Sequence, residues 1–303
     1  MTIADQITRL NNAKAAIKTS IENKGVTVSN TAKLDEYAAL IDSIEVGSGG
    51  NENDWLNIRT NGGWNYAYLF YGCYAESLDV SSLDTSKTTN MDSMFYMCSN
   101  LTTLDVSSFN TGKTTNMKSM FHMCSRLTTL DVSSFDTSQV TDMKSMFHMC
   151  SNLTTLDVSS FDTSNVTDMG YMFQYCESLA SINLSSFDTS NVTDMGYMFQ
   201  YCESLTELDL SNFNVSKVTS SSGLRIFGMS NMPQLTDFKA PKNIGTQFDV
   251  SKCTGLTHDS LMSIINNLAT VTSTKKLVLG ATNLAKLTDE EKAIATSKGW
   301  TLS

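Results

Sequence analysis

Proline is scarce, with two residues in a chain of 303, and histidine is almost as rare, with three. Two of the three histidines are copies of one position, which leaves little for acid–base chemistry. No basic run occurs anywhere, and 31 acids against 21 bases give a net charge of −10. A nucleic-acid partner gripped through its phosphates is therefore not expected. No apolar run is long enough to span a membrane, so no membrane insertion is expected. The opening residues Met1 to Gln6 lack a basic stretch followed by an apolar core. Neither a lipobox cysteine nor a Leu-Pro-x-Thr-Gly tail is visible, and the expectation is synthesis in a cytoplasm without export by an N-terminal signal. No nucleophile–base pair, phosphate loop or metal constellation stands out. The chain is thus expected to be no enzyme, with no catalytic residues, no metal ligands and no cofactors. A composition of 41% hydrophobic and 17% charged residues fits a folded protein and not a disordered one.

What the chain does contain is repetition. Leu-Thr-Thr-Leu-Asp-Val-Ser-Ser-Phe occurs at 101–109 and again at 127–135, and Lys-Ser-Met-Phe-His-Met-Cys-Ser at 118–125 and again at 144–151. The step is 26 residues both times, a period that signals stacked repeats. Each unit reads in three parts. A short strand comes first, Leu101-x-x-Leu104-x-Val106, with copies to Leu205/Leu208/Leu210. A turn segment follows, ending on Phe109, Phe135, Phe161, Phe187 or Phe213. The third part is Met143-x-x-Met146-Phe147-x-x-Cys150, whose spacing places its apolar groups on one face of a helical turn or two. Leu-x-x-Leu-x-Leu is the strand portion of a leucine-rich repeat. The expected fold class is α/β: a right-handed leucine-rich-repeat solenoid of about five to six coils, preceded by a short helical hairpin and closed by an α/β C-terminal cap.

Six of the seven cysteines, Cys73, Cys98, Cys124, Cys150, Cys176 and Cys202, fall in the same register. They read as a buried ladder of small apolar groups. Coils about 5 Å apart would bring neighbours near bridging range, but a cytoplasmic origin argues against disulfides. His122 and His148 suggest zinc beside Cys124 and Cys150. The same position holds Tyr96, Gln174 and Gln200 elsewhere while the cysteines recur, so a metal site is not expected there.

Near the start, Ile3, Ile7, Leu10, Ile17 and Ile21 form a heptad seam, with Lys14 at the intervening position. Gly25 ends this helix, and a second is expected over Thr31 to Ile44. Neither is long enough to stand alone in water. Gly47-Ser48-Gly49-Gly50 reads as a flexible linker. A tethered amphipathic hairpin looks more like an oligomerisation or docking module than a small cap. The expected organisation is a helical anchoring segment over 1–46, the linker over 47–50, an N-terminal cap over 51–72, repeats over 73–220, and irregular repeats with a C-terminal cap over 221–303. In that last part Thr257 should cap a helix reaching Leu268, Lys276–Leu279 should form a strand, and Thr288-Asp289-Glu290-Glu291 should open a helix that Gly299 closes.

Two resemblances bear on function. The segments Leu10–Lys18, Ile21–Val28 and Lys33–Ile44 resemble the N-terminal portion of many bacteriophage tail and fibre proteins, which implies attachment to a virion. The run Asn191-Val192-Thr193-Asp194-Met195-Gly196-Tyr197-Met198-Phe199, continued by Cys202, Leu205, Leu208 and Phe213, resembles the BspA-like branch of the leucine-rich repeats. Members of that branch are adhesive or partner-binding and carry no catalytic residues. Together they imply a phage fibre or decoration protein located on the virion. Its expected partners are other virion proteins through 1–46, copies of itself (a trimer favoured), and a host-surface protein or glycan. The alternative is a bacterial adhesion or interaction protein not carried on a virion.

The candidate binding face follows from strand alternation, since residues between the strand leucines point to solvent. It comprises Thr103, Asp105 and Ser107; Thr129, Asp131 and Ser133; Thr155, Asp157 and Ser159; then Asn183 and Asp209. Two readings stay open: a polar acidic surface for a ligand, or a solvated face on which Asp and Ser satisfy one another.

Overall fold

Three side-chain-to-backbone turns shape each repeat of the computed structural model, which describes residues 59–60, 63–218 and 227–303. In one copy Asp131 Oδ1 accepts from Ser133 N at 2.9 Å, Asp136 Oδ1 from Ser138 N at 3.0 Å, and Asp142 Oδ1 from Lys144 N at 2.9 Å. Asp and Asn favour such turns because their short side chains reach the amide two residues on. The division of the chain into two units falls between Leu56 and Asn57. The expected helical segment 1–46, with Ile3, Ile7, Leu10, Ile17 and Ile21, and the linker 47–50 lie outside the described residues.

Between the turns run very short strands: β1 (Arg59–Thr60), β2 (Gly63–Asn65), β3 (Ser77–Leu78), β4 (Thr88–Asn90), β5 (Thr103–Leu104), β6 (Glu207–Asp209) and β7 (Asp237–Lys239). β1 and β2 pair antiparallel, while β2–β4, β3–β5 and β6–β7 pair in parallel. Elsewhere the ladder is reduced to single parallel bridges, Asn90↔Asn116↔Asp142↔Asp168↔Asp194 and Thr129↔Thr155. Side chains carry part of the ladder instead. Thr137, buried, donates from Oγ1 to Asp162 O at 2.9 Å and accepts from Asp162 N at 2.8 Å.

The helical turn expected in each unit is not there, and the α/β leucine-rich-repeat solenoid is corrected accordingly. From Met117 to Cys124 the amides alternate. Ser119, Phe121 and Met123 donate to Lys144, Met146 and His148 of the following unit at 2.8–2.9 Å. Met120, His122 and Cys124 donate three residues back, to Met117, Ser119 and Phe121. An α-helix needs bonds four residues back and negative φ throughout. Here Ser119 stands at φ 53° and Met123 at φ 61°, as the third residue of a type II turn does in 117–120 and 121–124. Tight turns spend every other amide between units, which a helix cannot do. The result is a chain of turns and two- or three-residue strands in short sheets.

The core is the expected set of columns. Leu127, Leu130, Val132, Phe135, Val140, Met143, Met146, Phe147 and Cys150 are all buried. Phe95, Phe121, Phe147, Phe173 and Phe199 stack ring on ring at 5.6–5.8 Å. Full burial of one such ring stabilises by about 1.5–3 kcal/mol. Thiols of the ladder donate to the backbone of the preceding unit, as Cys150 Sγ does to Phe121 O at 3.1 Å. All seven cysteines are free thiols.

The C-terminal part holds the helices found among the described residues. Thr257 caps α1 (His258–Asn267), which buries Leu261, Ile264 and Ile265. β8 (Phe248–Asp249), β9 (Lys275–Val278) and β10 (Trp300–Leu302) form a parallel sheet in the order β10-β9-β8. α2 (Gly280–Leu284) is a single turn. α3 (Asp289–Ser297) opens on the expected capping box, Thr288 with Glu291, and is followed by Gly299 at φ 88°. A Cβ at Gly299 would lie 2.6 Å from Val271 O, so only glycine fits. Trp300 is buried and its indole N–H reaches Ala269 O at 2.8 Å.

Candidate functional site

The residues expected to form a binding face do lie outward together. Thr103, Asp105, Ser107, Thr129, Asp131, Ser133, Thr155, Asp157, Ser159, Asn183 and Asp209 are all exposed, while the leucines and valines between them are buried. β3–β5 pairing sets Thr103 beside Ser77, and a bridge sets Thr155 beside Thr129. The columns are therefore real rows across successive units.

The geometry of the Asp row bears on both readings. One carboxylate oxygen of each is committed to shaping the backbone: Ser107, Ser133 and Ser159 each donate their amide to the preceding Asp at 2.9 Å. Asn183 does the same with Ser185 N at 3.1 Å. The hydroxyl and amide of the following serine hold Asp105, Asp131 and Asp157 below the usual carboxylate range. Neighbouring aspartates push Asp105 the other way without cancelling this. The row is thus negatively charged at neutral pH in spite of like-charge neighbours. At its far end, burial raises the Asp209 carboxyl, but Ser211 and the Lys239 ammonium at 2.9 Å outweigh it and bring it below the usual range.

A second face was not foreseen as a unit. It is built from the turn segments, where one position carries Tyr71, Tyr96, His122, His148, Gln174 and Gln200 in succession. Tyr71 and Tyr96 stack at 5.0 Å, Tyr96 and His122 at 4.3 Å, and His122 meets His148 edge-on at 4.3 Å. Tyr171–Tyr197 and Tyr175–Tyr201 stack beside them at 5.3 and 4.4 Å. Lys144 Nζ lies 5.7 Å above the Tyr171 ring and 3.1 Å from Asp168 Oδ2. The two histidines, at a position that varies from unit to unit, are half-buried. Burial lowers both pKa values to about 4, with each other's charge adding to the effect at His122. The signal in the sequence was the 26-residue recurrence of a ring at one turn position, which only becomes a stack once the turns are known to stack.

Among the described residues, no group of three or more His, Cys, Asp or Glu side chains is placed to hold a metal ion. None of their helices is long and apolar enough to cross a membrane. Residues 64–157 and 149–255 each match the model of one family, described as "Mycoplasma protein of unknown function, DUF285". No curated protein matches the chain.

Proposed function

The chain belongs to the DUF285 family, and from that premise we propose that it is a non-enzymatic attachment protein of a phage virion. Residues 1–46 hold it to other virion proteins as a homo-oligomer, a trimer being favoured. The repeats present their Thr/Asp/Ser rows to a protein or glycan of the host surface. One observation carries the binding half of this reading: the same exposed, ionised triplet recurs in register across successive units. Weak contacts repeated along one chain and multiplied by copies on a particle give strong overall attachment. The virion half is supported by the resemblance of residues 10–44 to phage tail and fibre proteins.

The reading is tested in two steps. Mass spectrometry of purified virions should find the chain at a fixed copy number per particle; its absence there removes the virion half. Particles carrying Asp105→Asn, Asp131→Asn and Asp157→Asn together should adsorb to host cells at least tenfold more slowly. Unchanged adsorption with a normal copy number removes the rows as the binding face.

A further inference from the structure

We propose that the His122–His148 pair is an acid-sensitive joint of the repeat array: both imidazoles are neutral at neutral pH, and proton uptake by their rings in acid forces apart the turn segments 117–124 and 143–150. The two side chains occupy the same position in successive units, and Met123 N to His148 O at 2.8 Å is one of the bonds that clamp those units together. Their ring centroids lie 4.3 Å apart at 69°. Tyr96 covers the outer side of His122 at 4.3 Å, and Tyr175 and Tyr171 stand 6.0 and 6.2 Å from His148. His122 Nδ1 and His148 Nε2 are buried without a hydrogen-bond partner among the described residues.

The titratable groups facing the pair among the described residues are Tyr96, Tyr171 and Tyr175. Lys144, over the Tyr171 ring, is already paired with Asp168. A first proton would create a cation among rings with no acceptor for it, and a second would set two positive charges side by side. The depressed pKa values of about 4 express that penalty. Its sign is fixed by linkage. The unfolded chain takes up these protons near pH 6.5, the folded chain only near 4. Stability from keeping the pair neutral is complete above about pH 6.5 and is lost as pH falls from there to about 4.

The chain contains its own control. Two units further on, Gln174 and Gln200 hold this position; Gln174 Nε2 donates to Gln200 Oε1, and Gln200 Nε2 to Ser230 Oγ at 3.0 Å. Uncharged amides therefore fit the same turns. The full chain and its H122Q/H148Q variant should be unfolded in urea at a series of pH values from about 7 to 4.5. Both should lose stability through carboxylates held below their usual range, such as Asp105 and Asp131, and His258, raised by Glu291, offsets this alike in each. At least half of the wild-type fall in midpoint should disappear in the variant, while the two agree near pH 7. Parallel curves would overturn the proposal. Should the variant fail to fold, the wild-type ring signals followed by NMR still decide: both rings should stay neutral to below about pH 5, and titration at the ordinary value overturns the joint. So does a zinc-dependent rise in wild-type midpoint at neutral pH that vanishes in the variant, which would assign the two nitrogens to a metal.

Discussion

Thr137 shows how much one small side chain carries. Its hydroxyl satisfies both the carbonyl and the amide of Asp162 in the next unit, and Thr85 does the same for Asn110 at 3.1 and 2.7 Å. Replacing it by valine keeps the shape but strands two partly buried backbone groups. Thr137→Val is expected to cost about 1–3 kcal/mol, read from urea unfolding. The exposed Thr141, whose hydroxyl makes a single 3.2 Å bond to Thr115 O, should lose less than about 0.5 kcal/mol on the same change. The cysteines give a second residue-scale expectation. Cys98, Cys124, Cys150, Cys176, Cys202 and Cys253 are buried, whereas Cys73 is partly exposed. Burial pushes the Cys150 and Cys202 thiols up to about 12, so they offer almost no thiolate. A water-soluble thiol reagent should label Cys73 alone in the native protein, one equivalent by mass, and all seven only after unfolding. Rapid native labelling at Cys150 would contradict the buried ladder. The cysteine register was legible in the sequence because sulfur, methionine and leucine recur together. The threonine ladder was not, because Asp-Thr-Ser reads equally well as a solvated turn.

Among elements, the turn segment is where sequence and structure part. Met117, Met120, Phe121 and Cys124 are spaced for one face of a helix, and they are indeed all buried on one side. Three overlapping turns give the same facing. The spacing therefore could not choose between them, and the hydrogen bonds between units did. A clue lay in Gly72, the one glycine in the column that continues as Met97, Met123 and Met149, all at positive φ. Glycine there marks a position whose backbone is left-handed, not helical. Met123→Val should accordingly cost more than about 1 kcal/mol, because a β-branched side chain resists that backbone, while Met123→Asn should be tolerated. Equal losses from both substitutions would mean that the methionine side chain, and not the backbone, matters at this position. The C-terminal elements were easier to read. Thr257, the Thr288–Glu291 capping box and Gly299 are local signals; α1 begins on the first, and α3 begins and ends on the other two. What those signals could not give is the tie between the helices. His258 Nε2 meets Glu291 Oε1 at 2.8 Å, a contact between residues 33 apart in the chain.

At the scale of the molecule, each unit bonds chiefly to its neighbours one period away, so whole units should be removable where fractions of a unit are not. Deleting residues 127–152 joins Arg126 to Leu153, a copy of Leu127, and leaves every column in register. Ser119 and Phe121 would then donate to Gly170 and Met172, as Ser145 and Phe147 do now. Removing residues 127–139 alone would put Ser145 in the Val132 column, His148 in the Phe135 column and Phe147 at the exposed Ser134 position. The period deletion should fold, with circular dichroism like the parent and a lower urea midpoint, since an interface between units is lost. The half-period deletion should not fold. The same shortened chain also weighs on the proposed function, because it loses one copy of the Thr/Asp/Ser triplet, Thr129, Asp131 and Ser133, without altering the others. If attachment sums over the rows, affinity for isolated host envelope should fall several-fold in the folded deletion, and insertion of an extra unit should raise it. If a single unit holds the contact, removing a unit elsewhere leaves affinity unchanged, and serial deletion of units one at a time would reveal which unit that is.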